Sequence, residues 1–182
     1  MNRDIGVVFL ATFFLSATML STLFAYQING ETMELPYLFG DKKVSLLDIW
    51  SLQHFLTGIC LGAFAAAAVP DSRTWTFVLG FICLSYFWER QEVWGELTGN
   101  LFDTISIPAV REWLGGVEHW SNRLIADPLL VTAGALLGRN LMNNTKMRTL
   151  KSIAVATGLF FVIHVVSPDS MALQNWIIGT EH

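Results

Sequence analysis

Charge is what this sequence has least of. Only 14% of its 182 residues are Asp, Glu, Lys or Arg, against about 25% in a soluble domain. That deficit excludes an ordinary water-facing surface and points to lipid as the solvent. Cysteine is nearly absent as well. Cys60 and Cys83 are the two present, both inside apolar runs. They exclude a disulfide framework and a Cys-type metal site, and read as small apolar packing residues. There is no basic stripe, and the net charge is −4, which excludes a nucleic-acid partner. No internal repeat and no low-complexity tract is visible. The helical metal signatures His-Glu-x-x-His and paired Glu-x-x-His are missing, as are a phosphate-cradling Gly loop and a Ser-His-Asp order.

Long apolar runs are what the chain does have, with 53% of its residues hydrophobic. Ile5 to Tyr26 carries no charge and is long enough to cross a ~30 Å hydrocarbon core at 1.5 Å per residue. It is too long for the apolar region of a signal peptide, and reads as a retained helix. Four further spans follow: Leu47–Val69, stopped by Pro70-Asp71, then Thr74–Trp94, Ser121–Gly138 and the short Leu150–Ser167. The segment Gln27–Leu46, with Gly30, Pro36 and Gly40, reads as a polar turn-rich loop. In the long connection Gly95–Trp120, Val110, Trp113 and Leu114 after Pro108 suit a short helix lying in the interface. The predicted fold is therefore all-α: one transmembrane helix bundle over 1–182, with about five spans. The tail, Pro168 to His182, is expected at the surface.

Orientation follows from the basic residues. Arg139, Lys146, Arg148 and Lys151 share a loop without a carboxylate, which places it in the cytoplasm. Arg3 and Arg73 then fall on the same side, giving an N-in, C-out topology. The expected location is a bacterial inner membrane.

The polar residues concentrate near the outer face. The stretch Tyr86-Phe-Trp-Glu-Arg-Gln-Glu-Val-Trp-Gly-Glu96 carries Glu89, Glu92 and Glu96 at i, i+3, i+7, on one helix face, with Arg90 pointing elsewhere. At the helical rise, His54 lies roughly 10 Å, Glu89 roughly 8 Å, Asp127 roughly 9 Å and His164 roughly 5 Å below the outer boundary. Glu92, Glu96, Glu118, His119, Asn122 and Arg123 lie just above. Ionisable groups within a span are costly and face protein, a cavity or each other. Gly58-x-x-x-Gly62 and Gly134-x-x-x-Gly138 allow two of these helices to approach closely. His54, Glu89 and Asp127 are thus expected to form one connected site, with Glu92 and Arg123 setting their charge.

Plainer readings compete with a site. His54 can serve as an interhelical hydrogen-bond partner. Glu89 and Arg90 can close ion pairs with Arg123 and Asp127. Trp50, Trp88, Trp94, Trp113 and Trp120 fit an interfacial aromatic belt, and Glu96, Glu118 and His119 read most simply as solvated loop residues.

The pair His54-Phe55 opening one span, Glu89-x-x-Glu92 ending the next, Asn122 with Asp127, and Gly134-x-x-x-Gly138 together resemble the order found in VanZ-like small membrane proteins and the similar DUF2585-type family. The resemblance covers about Leu47 to Gly138. Asn122 precedes Asp127 here, whereas the Asp usually comes first in VanZ-like chains. One member is similar to a glycopeptide-resistance accessory protein, while most have no assigned activity.

Three functions fit these residues. The first is an accessory or binding protein whose polar outer-leaflet cluster (His54, Glu89, Glu92, Asn122, Arg123, Asp127) holds a lipid headgroup, an amphiphile or a partner subunit. The second is a metal-dependent enzyme acting on a lipid-linked substrate, with His54, Glu89, Glu92 and Asp127 as ligands. One imidazole and several carboxylates suit divalent Zn, Mn or Fe better than Cu(I). The third is a structural subunit of a larger membrane complex.

Overall fold

The computed structural model describes residues 3–30, 33–98, 100–101, 105–106, 117–144, 151, 153–154 and 157–158. Helix α1 (Arg3–Ile28) leads to two short strands, β1 (Tyr37–Phe39) and β2 (Ser45–Leu47), and then to α2 (Ile49–Ala68). Helix α3 (Thr74–Thr98) follows, then the strands β3 (Asn100–Leu101) and β4 (Ile105–Ser106). A π-helical turn over Asn122–Ala126 runs directly into α4 (Asp127–Asn144). Among the described residues three helical segments are long and apolar enough to cross a membrane: Asp4–Ile28, Ile49–Ala68 and Asn122–Met142. Helix α3 has the length, at 25 residues, but its last turns hold Glu89, Arg90, Glu92 and Glu96.

Helices α1, α2 and α4 fall on the first, second and fourth apolar runs, and the loops hold structure of their own. Expected to be irregular, Gln27–Leu46 contains a parallel strand pair, Tyr37 opposite Ser45 and Phe39 opposite Leu47. Gly40, at φ 152°, turns the chain between the two strands in a region that favours glycine. Leu47 is consequently strand, and α2 begins at Ile49 behind a capping box. The Asp48 carboxylate accepts from Ser51 N at 2.9 Å, and Ser51 Oγ accepts from Asp48 N at 3.2 Å. An antiparallel pair, β3 with β4, opens the third loop. The interfacial helix expected at Val110–Leu114 lies outside the described residues. So do His164, the tail and most of the fifth span.

Two glycine pairs bring α2 and α4 into backbone contact. A Cβ on Gly58 would strike the carbonyl of Val131, and one on Gly62 the carbonyl of Ala135. In the reverse direction, Gly134 faces the carbonyl of Phe55 and Gly138 that of Ile59. In lipid, where no hydrophobic drive pulls helices together, this close packing holds them. Phe77 and Phe81 of α3 close over Val131 and Ala135. Helix α1 joins α3 through Ser21, whose hydroxyl accepts from Arg90 Nε at 3.3 Å and Trp94 Nε1 at 3.0 Å. Arg90 thus faces α1, away from the carboxylates.

The two ends of the bundle differ in chemistry. At one end Arg73 pairs with Asp4 at 2.9 Å in an exposed bridge, while Arg139 donates to the Ser72 carbonyl at 2.5 Å and lies over the Phe77 ring. At the other end the acidic residues converge.

Candidate functional site

The acidic end is built where the C-terminal turns of α1 and α3 meet the N-terminal turns of α2 and α4. Arg123 stands at its centre with 0% exposure. One terminal nitrogen of its guanidinium lies 3.1 Å from Glu89 Oε2 and 3.0 Å from Glu92 Oε2. The other lies 2.7 Å from Glu96 Oε1 and 3.5 Å from Glu118 Oε2. The planar fork of arginine suits such multiple carboxylate contacts, which a point-charge lysine could not satisfy together. Lys42 supplies a second cation from the turn between β1 and β2, at 3.4 Å from Glu96 and 3.8 Å from Glu118. His54 lies between two carboxylates, Nδ1 at 3.9 Å from Glu89 Oε1 and Nε2 at 3.5 Å from Asp127 Oδ2.

The π-helical turn sets Arg123 and Asp127 in place. Pro128 has no N–H to donate to the carbonyl of Leu124, four residues earlier. Tyr86 of α3 donates its hydroxyl to that carbonyl instead, at 2.7 Å, and Asp127 N bonds back to Asn122 O. Such one-turn π insertions occur where a helix must reorient side chains. Asn122, Arg123, Leu124, Ala126 and Asp127 are all buried as a result.

Of the six residues expected in the cluster, His54, Glu89, Glu92, Arg123 and Asp127 come together around one centre. Asn122 lies at its edge, donating to Asp48 Oδ2 at 3.0 Å and accepting from Ser51 Oγ at 3.3 Å. Arg123, expected to set the charge of the others, is the hub of the network, reaching four carboxylates. One reading needs correction: Glu96, Glu118 and His119, read as solvated loop residues, are buried at 1%, 5% and 8% exposure. The physical reason is shared charge: a carboxylate leaves water only where cations meet it, and Arg123 and Lys42 serve both glutamates. Lys42 itself carried no signal as a site residue, and neither did Tyr26, whose hydroxyl donates to the Glu118 carbonyl at 2.6 Å. The i, i+7 spacing from Glu89 did place Glu96 on the right face.

Burial pushes the Glu118 carboxyl up, but Arg123 and then Lys42 outweigh it and hold the group below the usual carboxylate range. Asp48 moves the other way. Burial, reinforced by the negative charge of Glu118, pushes it up to about 7 against the hydrogen bond from Ser51.

Among the described residues two groupings could hold a cation, His54 with Glu89 and Glu92, and Glu89 with Glu118 and Asp127; each offers ligand atoms within 4.8 Å of one another. Beside them, between α2 and α3, lies a cavity of about 320 Å³. His54, Glu92 and Glu118 line it together with Trp50, Trp88, Thr57, Leu61, Leu84 and Val131. Cys60 and Cys83 are free thiols.

No protein-family model, curated protein or solved structure matches this chain. The functional reading therefore rests on the geometry of the cluster and its cavity.

Proposed function

We propose that this chain is a small integral membrane binding protein, an accessory factor, that holds an amphiphile with its head at the acidic cluster and its apolar part in the adjoining cavity. The observation that carries this reading is the cavity's mixed lining. The ionisable groups His54, Glu92 and Glu118 share the lining with the neutral Gln53, Thr57 and Ser85 and with the apolar Trp50, Leu61, Leu84, Trp88 and Val131. Leu61, Leu84 and Trp88 are 40%, 47% and 40% exposed, so the apolar part borders the surface that lipid would cover. A bilayer component can then enter sideways without crossing water. Carboxylates only accept hydrogen bonds, so the head should offer donors or positive charge.

Within this reading α3 is a further span and the segment around 150–167 a fifth. The acidic end faces outward and the basic end, with Arg73 and Arg139, faces the cytoplasm of a bacterial inner membrane. The resemblance to VanZ-like and DUF2585-type proteins belongs to the same proposal. Native mass spectrometry of the protein released from membranes in mild detergent tests it. The wild type should carry a bound amphiphile, lost in Thr57→Trp or Leu84→Trp, which fill the cavity, and kept in Phe13→Trp on α1. A wild type that carries only detergent, or an adduct unchanged in both cavity variants, defeats the reading.

A further inference from the structure

Within the cluster the charges and hydrogen bonds do not balance. Five carboxylates, Glu89, Glu92, Glu96, Glu118 and Asp127, gather around two fixed cations, Lys42 and Arg123. The imbalance is not spread evenly. Glu92 is fully engaged, one oxygen with Arg123 and the other accepting from Trp88 Nε1 at 2.6 Å. By contrast, Glu89 Oε1, Glu96 Oε2, Glu118 Oε2 and both oxygens of Asp127 are buried without a hydrogen-bond partner among the described residues; the nearest cationic groups to Glu118 Oε2 and Asp127 Oδ2 are Arg123 and His54, each at 3.5 Å. Glu89 and Asp127 are 0% exposed and Glu118 5%. A buried carboxylate oxygen without a donor carries a desolvation penalty of about 1–3 kcal/mol or more, and four residues of the cluster bear it, of which Glu89, Glu118 and Asp127 also offer oxygens close to one another.

We infer that Glu89, Glu118 and Asp127, with His54 beside them, form a binding site for one divalent cation. The three carboxylates come from α3, from the segment before the π-helical turn and from the start of α4, and offer oxygens within 4.8 Å of one another. A cation drawing one oxygen from each residue to ordinary coordination distances of about 2.0–2.3 Å gives Glu89, Glu118 and Asp127 a common partner. His54, 3.9 Å from Glu89 and 3.5 Å from Asp127, adds a nitrogen ligand after a small side-chain rotation. Because His54 and Glu118 also line the cavity, the cation borders the cavity. Three carboxylates and one imidazole favour a hard-to-borderline ion, Mn²⁺ or Fe²⁺, over Cu(I). Arg123 contacts Glu89 through Oε2, and its reach to Glu118 is the longest of its four carboxylate contacts at 3.5 Å. The site stands without any amphiphile, so its failure and that of the binding reading are distinguishable.

Mn²⁺ alone is the probe, added to the tag-free, chelator-treated full chain in detergent. The free-ion electron paramagnetic resonance signal should fall until one Mn²⁺ per chain is bound. Asp127→Asn and Glu118→Gln should each weaken binding at least tenfold, whereas Asp4→Asn, at the opposite end of the bundle, should leave it unchanged. Bound Mn²⁺ should show a nitrogen coupling that His54→Gln removes. If Asp127→Asn does not fold, Glu118→Gln and the nitrogen coupling carry the same test. A folded wild type that leaves the free-ion signal intact overturns the inference. So does Mn²⁺ bound with no nitrogen coupling, or binding unchanged in the carboxylate variants.

Discussion

Arg123 is where the fold is most exposed to a single substitution. Replacing it with Met keeps the length and apolar character of the stem and removes the charge. Glu89, Glu92 and Glu96, at 3.1, 3.0 and 2.7 Å, then lose their common cation, and Glu118 keeps only Lys42 at 3.8 Å. Removing one partner of a buried ion pair costs about 3–5 kcal/mol, because the other charge stays buried and unpaired. Set against a total stability of about 5–15 kcal/mol, that is a large fraction. At about 2–4 °C per kcal/mol for a chain of this size, the midpoint of thermal unfolding in detergent should fall by roughly 6–20 °C. Arg123→Lys should fall between the wild type and Arg123→Met, since it keeps the charge and loses the fork. Adding Glu96→Gln to Arg123→Met should restore part of the loss, as one fewer carboxylate is stranded; a coupling of about 0.5–3 kcal/mol is expected of groups in contact. An Arg123→Met protein that unfolds within 2 °C or so of the wild type, a shift of about 1 kcal/mol or less by the same conversion, would falsify the hub assignment.

The remaining predictions use other parts of the structure. Gly134→Ala should lower the unfolding midpoint, because its methyl runs into the Phe55 carbonyl and overpacking costs about 1–3 kcal/mol. Gly80→Ala, where none of the described residues lies within 4 Å, should be neutral or gain up to about 1 kcal/mol of helix propensity; a reversed order in calorimetry would refute the close approach of α2 and α4. Asp48, raised from 3.8 to about 7 among Ser51, Asn122, Lys42 and Glu118, favours its neutral form in the folded state. Its stabilising contribution is present below about 3.8 and is lost as pH rises through about 7. Wild-type stability should therefore fall more between pH 5 and pH 8 than that of Asp48→Asn, and equal slopes would count against the shift. Tyr86→Phe should cost about 1–3 kcal/mol by stranding the Leu124 carbonyl, and less in a Pro128→Ala background, where a backbone N–H is restored. A double-mutant cycle with no coupling would remove Pro128 from the account of the π-helical turn. In a background with Cys60 and Cys83 replaced by Ala, an impermeant thiol reagent added outside cells should label Met33→Cys and spare Asp71→Cys; the opposite pattern inverts the proposed topology.

Much of this molecule was written locally in the chain. The apolar runs place α1, α2 and α4 because a helix must bury its own backbone polar groups in lipid, and length with composition suffices to show that. Glu89, Glu92 and Glu96 share a face because helix geometry repeats every 3.6 residues. The glycines of α2 and α4 mark the faces that meet, because backbone approach requires the absence of a side chain at those positions.

What tertiary structure alone decided was which charges leave water together. Lys42, Glu118 and His119 lie in segments that read as solvated, and in a short peptide they would be. They are buried because the turn after Gly40 and the chain before Ser121 both close over Arg123, and no sequence spacing links positions 42, 96, 118 and 123. Pro128 stood in plain view at the start of α4, but its effect depends on Tyr86 of another helix taking over the Leu124 carbonyl. Asp127 likewise shows its orphaned oxygens only when its neighbours from three segments are in place. A single residue's environment is local in a helix, whereas charge balance in a buried cluster is a sum over parts of the chain that meet only after folding.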